Sequence, residues 1–214
     1  MSDLSAAFVR LHARLAPVPF VPEIRLHQAD EPIGLWELTE GEFRSEQPPP
    51  FWAFAWAGGQ ALARYVLDHS EVVAGRRVLD LAAGSGLVGI AAARAGATSV
   101  RAVEIDPLAV SAIGLNAAAN QVSVTVELAD ILDGDAGNAE VVLAGDVFYS
   151  KTMAGRMMRF LRRAQRAGAR VLVGDPERAY LPRTSFTALV SYDVPVPLAL
   201  ESVAVKTTTV WALA

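Results

Sequence analysis

The sequence predicts an α/β fold, a doubly wound and mostly parallel seven-stranded sheet that finishes in an antiparallel C-terminal hairpin. Three observations carry the prediction. From residue 56 onward, short apolar runs alternate with segments of helical pattern, as strands do when helices cover both faces of a parallel sheet. A glycine-rich stretch, Asp80-Leu-Ala-Ala-Gly84-Ser85-Gly86-Leu-Val-Gly89, joins the first strand to its helix. Near the end, Phe186–Val194 and Ser202–Trp211 read as strands with no helix between them, which calls for an antiparallel pair.

Each element has its own signal. Phe8–Leu15 reads as a short amphipathic helix, after which Pro17, Pro19 and Pro22 interrupt the chain. Ile33–Leu38 and Glu42–Phe43 are expected to form a small hairpin across Thr39–Gly41. Gln47-Pro48-Pro49-Pro50 must be extended, because proline fixes φ and pushes its predecessor out of the helical region. It divides an N-terminal extension, 1–50, expected to pack on the core, from a domain at 51–214. Trp56–His69 is a helix with Leu62, Ala63, Val66 and Leu67 on its apolar stripe, and the Gly75 turn introduces the strand Arg77–Leu81. Leu87–Ala95 is a helix closed by Gly96, and Ser99–Ile105 a strand. Pro107–Asn120 is a helix with proline in its first turn. Val122–Leu128, Glu140–Ala144 and Arg170–Val173 are strands, and Thr152–Ala167 is a helix rich in arginine.

Composition excludes several functional classes. The chain has 214 residues, enough for one domain with a sizeable core, and 52% of them are hydrophobic. With no cysteine there is no disulfide framework, thiolate zinc site or thiol nucleophile. No clustering of the usual ligand types suggests a metal. The net charge of −4 argues against nucleic acid, which calls for a basic stripe. The sequence shows neither a signal-peptide pattern nor an apolar run of membrane-spanning length. The expectation is a monomer of a bacterial cytoplasm with no membrane partner.

Gly84, Gly86 and Gly89 satisfy G-x-G-x-x-G, a loop that suits a dinucleotide as well as S-adenosylmethionine. Two carboxylates bear on the choice. Glu104 ends the second strand twenty residues after Gly84, where it can accept from ribose hydroxyls. Asp80, four residues before Gly84, would repel a pyrophosphate but stabilise the ammonium and sulfonium of S-adenosylmethionine. Asp130 follows the third strand and can accept from an adenine amino group, with Ile131 against the ring.

DLAAGSGLVG, VEIDP (Val103–Pro107) and LADI (Leu128–Ile131), in that order, resemble the successive cofactor motifs of class I, Rossmann-like methyltransferases. That resemblance implies S-adenosylmethionine as cofactor, bound by Trp56, Asp80, Gly84, Ser85, Gly86, Glu104, Asp130, Ile131 and Asp146. After the fourth strand, Asp146-Val-Phe-Tyr149 matches the D-x-x-Y signature of a branch that methylates protein lysines. With Pro49–Trp52, Trp56–Gly59, Gly174–Pro182 and Thr207–Trp211, the chain most resembles the electron-transfer flavoprotein β-subunit lysine methyltransferases over roughly residues 48–214. The resemblance implies that flavoprotein subunit as partner, with Asp146 and Tyr149 as the catalytic pair.

The chemistry is consistent with this. A lysine arrives protonated at neutral pH, a desolvated slot lowers its pKa, and Asp146 can orient the amine. Tyr149, Phe148 and Trp56 are expected to offer aromatic faces to a cation. Arg178 and Tyr180 can line the substrate entrance or only cap the fifth strand. The arginines at Arg156–Arg166 are expected to form a solvated face. N-methylation of another protein or a small molecule, NAD-dependent oxidation and an inactive binding module remain as alternatives.

Overall fold

The computed structural model describes residues 3–29 and 49–214, so the hairpin expected within 33–43 lies outside the described residues. The first helix, α1, spans Asp3–His12, not Phe8–Leu15. Arg14–Val18 (β1) and Val21–Gln28 (β2) then pair as a two-stranded antiparallel sheet. The three prolines that seemed to interrupt this stretch are compatible with it, because both strands of a two-stranded sheet are edges. Val18, Val21, Ile24 and Leu26 are fully buried in the main core.

The remaining elements follow the sequence reading closely. In order they are α2 (Ala57–Asp68), β3 (Arg77–Leu81), α3 (Leu87–Arg94), β4 (Ser99–Glu104), α4 (Pro107–Ala119), β5 (Thr125–Leu128), β6 (Val141–Gly145), α5 (Lys151–Arg166), β7 (Arg170–Asp175), β8 (Phe186–Pro195), α6 (Leu198–Glu201) and β9 (Val205–Leu213). The one-turn α6 lies where no helix was expected. The seven strands run β5-β4-β3-β6-β7-β9-β8 across the sheet. β3 to β7 are parallel, and β9 enters antiparallel between β7 and β8.

Both faces are covered, so the parallel strands bury alternate residues in two cores. Val78, Val141, Leu143 and Leu172 face α2 and α3. Leu79, Leu81, Val142, Ala144, Val171 and Val173 face α5. Asp80 falls in register with the first set, which places a carboxylate beneath α3.

Glycine lets α2 cross the strand ends. A Cβ on Gly58 would lie 2.8 Å from the Asp146 nitrogen and closer still to the Gly174 carbonyl. A Cβ on Gly145 would lie 2.8 Å from the Gly59 Cα. The start of α2 therefore rests on backbone at the ends of β6 and β7.

Candidate active site

β3 lies beside both β4 and β6, and the chain winds outward from it in the two directions, so a crevice opens at the carboxyl ends of β3 and β6. The three loop glycines do three different jobs there. Gly84, at φ +55°, donates its amide to Glu104 Oε1 at 2.8 Å. Gly86, at φ +79°, is the N-cap of α3, and a side chain there would meet Ile113. Gly89 donates its amide to Asp80 Oδ2 at 2.7 Å, and a Cβ would come within 2.9 Å of that oxygen. Asp80 thus ties the first turn of α3 to β3. Burial pushes its carboxyl up to about 7, with the Gly89 amide pulling down and Glu104 pushing up. Ser85 is buried, and its carbonyl accepts from Asn116 Nδ2 at 2.8 Å.

Two chambers of about 240 Å³ each share Ala82, Glu104 and Met153. The first holds Phe51, Trp56, Gly84, Asp146, Tyr149 and Arg178; the second holds Ala129, Asp130, Ile131, Ser150 and Arg156. A third, of about 50 Å³, lies among Trp56, Asp80, Ser85 and Gly145. The crevice therefore brings together Trp56, Asp80, Gly84, Ser85, Glu104, Asp130, Ile131, Asp146 and Tyr149, whereas Gly86 caps α3 outside these linings.

At the β5 end, Arg156 pairs with Asp130 at 2.8 Å and with Asp133 at 2.7 Å. The Arg156 hydrogen bonds hold the Asp130 carboxyl below its usual range. Arg163 donates to the carbonyls of Leu132 and Gly134. These two arginines depart from the expected solvated face and tie α5 to the segment after β5.

At the β6 end, Asp146 has φ +56° and is 8% exposed. Its carboxylate accepts from the Gly58 amide at the start of α2 and from Arg178 Nε at 2.6 Å. Burial raises its pKa, opposed chiefly by the charge of Arg178. The other Arg178 nitrogens reach Glu201 at 2.6 and 3.2 Å, and Glu201 also binds Lys206. Burial pulls the Arg178 pKa down, yet Asp146 and Glu201 outweigh it and the net shift is upward.

Tyr149 is 45% exposed, donates its hydroxyl to Met153 Sδ at 3.4 Å, and packs 5.4 Å from the Phe51 ring. Burial raises its phenol pKa, with Glu104 adding to the rise. Trp56 donates Nε1 to the Phe51 carbonyl at 2.9 Å, and the Arg178 guanidinium lies 5.8 Å from its ring. Phe148 corrects the sequence reading: it is fully buried in the α5-side core against Phe186, away from the crevice. Phe51, Met153 and Glu201 are site residues that the sequence reading did not single out. Phe51 was within reach, since it follows the noted prolines. Nothing near Glu201 signals its contact with Arg178. Among the described residues, no group of three or more acidic or histidine side chains is placed to hold a metal, and no helix is long and apolar enough to cross a membrane.

The donor set suits a cationic ligand beside a nucleoside better than a pyrophosphate. Two carboxylates flank the glycine loop, and Glu104 already takes the Gly84 amide that a phosphate would need. Fold and crevice together define a class I methyltransferase. The family model described as ribosomal protein L11 methyltransferase (PrmA) matches residues 60–164. The electron transfer flavoprotein beta subunit lysine methyltransferase of Xenopus laevis is 36% identical over 178 residues, 81% of this chain and 70% of that one. Its Danio rerio counterpart is 36% identical over 196 residues, 89% of this chain and 75% of that one. The structure of magnesium protoporphyrin IX methyltransferase from Synechocystis PCC 6803 with bound SAM superposes at a TM-score of 0.54 and 16% identity, covering 73% of this chain and 78% of that one. The chain belongs to the electron transfer flavoprotein beta subunit lysine methyltransferase family.

Proposed function

We infer that this protein transfers methyl groups from S-adenosylmethionine to lysine side chains of the electron-transfer flavoprotein β subunit. The observation that carries the reading is the linked pair of chambers running from Asp130 past Glu104 to Asp146 and Tyr149. When bound, S-adenosylmethionine supplies a sulfonium methyl that an amine lone pair can take as the sulfur–carbon bond breaks and its electron pair stays on sulfur.

The chain's own residues hold the reactants. Glu104 spends part of its acceptor capacity on the Gly84 and Ile105 amides. An ionised carboxylate has about four lone-pair sites, so capacity remains for ribose hydroxyls. Ile131 and Asp130 serve the adenine, the latter sharing its charge with Arg156. Asp80, Gly84, Ser85 and Trp56 line the small chamber beside the glycine loop and would hold the methionyl end, with Gly86 setting the turn into α3. Asp146 orients the incoming amine as it loses its proton and also borders the cofactor. Tyr149 and Trp56 offer aromatic faces to the cation that forms.

The acidic chain has no nucleic-acid partner in this reading and acts as a monomer. The cytoplasmic assignment rests on the sequence alone. Both named relatives are vertebrate proteins, which lends no support to a bacterial source.

The test is incubation with methyl-labelled S-adenosylmethionine and purified electron-transfer flavoprotein, followed by peptide mass spectrometry. Label on β-subunit lysines is expected. Label on a different protein in whole-cell lysate, with the flavoprotein unlabelled, would overturn the substrate; label on metabolites alone would overturn protein methylation.

A further inference from the structure

We propose that Arg178, itself gripped by Glu201, is a positioning residue that fixes the Asp146 carboxylate in its working orientation and charge state. The inference rests on the reading of Asp146 as the group that meets the amine.

The geometry is one of complete engagement. One Asp146 oxygen takes the Gly58 amide and the other takes Arg178 Nε at 2.6 Å. The guanidinium turns its remaining nitrogens to Glu201, whose side chain is 5% exposed. A planar guanidinium can bridge two carboxylates in fixed directions, which a lysine ammonium cannot do. Lys206 completes the row on the far side of Glu201. Two carboxylates thus face two basic side chains in one row.

The charged surroundings of Asp146 can be named element by element. α2 presents the Gly58 amide, while its Arg64 and Asp68 pair with each other at 2.6 Å. The segment after β7 brings Arg178, with Asp175 behind it accepting the Arg178 amide at 2.6 Å. α6 brings Glu201 and β9 brings Lys206. Glu104 and Tyr149 line the same chamber. Among the described residues, Arg178 is the cation in direct contact with Asp146. Without it, burial would hold a proton on Asp146 to higher pH.

The experiment compares wild type, Arg178→Gln, Arg178→Lys and Glu201→Gln. It measures kcat/KM for methyl transfer to electron-transfer flavoprotein across the pH range, with melting curves to verify folding. The expected result for Arg178→Gln is an acid limb displaced upward by about 1–3 pH units, the usual effect of removing an adjacent opposite charge. A loss of roughly 100-fold in kcat from misplacement should accompany it. Arg178→Lys should return most of the limb and little of kcat, whereas Glu201→Gln removes a carboxylate whose charge raises the Asp146 pKa, so its limb should move slightly downward while kcat falls as the guanidinium loses its grip. A folded Arg178→Gln with the wild-type limb overturns the inference, however low its kcat. Should that variant not fold, a folded Glu201→Gln with wild-type kcat overturns it. Wild type that methylates no protein would instead remove the functional reading, a result distinguishable from an active wild type with unmoved variants.

Discussion

The two ends of the crevice are built in opposite ways. At the β3–β4 end, polar groups meet partners close in the chain: Asp80 with Gly89 and Glu104 with Gly84, nine and twenty residues apart. Their partners are backbone amides of the glycine loop and of the first turn of α3 that follows it. At the β6–β7 end, Asp146 takes an amide 88 residues away and a guanidinium 32 residues away, and Arg178 reaches a further 23 to Glu201. The first end is a turn held in shape by two carboxylates. The second is a charge network drawn from four separate elements. A ligand common to many proteins can be served by a local turn, whereas placing an amine needs a carboxylate fixed from several sides.

This contrast can be broken by substitution. The largest effect is expected from Asp146→Asn, which should lower methyl transfer at least ~100-fold, the range typical of misplacing a reactant by about 1 Å. Initial rates on electron-transfer flavoprotein check it.

Asp80→Asn addresses the other end through stability. The Asp80 carboxyl is raised from 3.8 to about 7 in the folded protein, so folding favours its protonated form. That contribution is complete below about pH 4 and is lost as pH rises through about 7. An asparagine can still accept from Gly89 and does not titrate. Urea unfolding should show the wild type losing stability relative to Asp80→Asn across that window, on the order of 2–4 kcal/mol at about 1.4 kcal/mol per unit. Asp106 and Asp175, both raised to about 6 mainly by burial, titrate in both proteins and cancel in the comparison.

Gly58→Ala should disturb the second end specifically. Its Cβ has no room against Gly174 and Asp146 backbone, and overpacking of this kind costs about 1–3 kcal/mol. Denaturant melts should show that loss, together with reduced transfer as the Gly58–Asp146 bond shifts. An effect of similar size is expected from Glu104→Ala, which leaves ribose hydroxyls without a charged acceptor and should weaken S-adenosylmethionine by about 1–3 kcal/mol in calorimetry.

The same contrast explains what could be read in advance. The strand–helix alternation, the terminal hairpin and the residues that line the crevice around the glycine loop were legible because each signal lies in a short stretch with its own spacing. Arg178 was left between two readings and Glu201 was invisible, because their pairing depends on where the β8–β9 connection folds back. Phe148 was misplaced because strand alternation stops at Gly145. The left-handed backbone at Asp146 turns the chain, so Phe148 enters the core while Tyr149 lines the crevice. The N-terminal strands were missed because prolines were weighed as breakers, although an edge strand tolerates them.

The most direct measurement is a crossed pair of readouts on Asp146→Asn and Glu104→Ala: S-adenosylmethionine affinity by calorimetry and methyl transfer at saturating cofactor. The account expects Asp146→Asn to bind cofactor within a few-fold of wild type yet transfer almost nothing, and Glu104→Ala to bind weakly yet recover transfer when cofactor is raised. Loss of cofactor binding in Asp146→Asn, or full transfer by that variant, would contradict the division of the crevice.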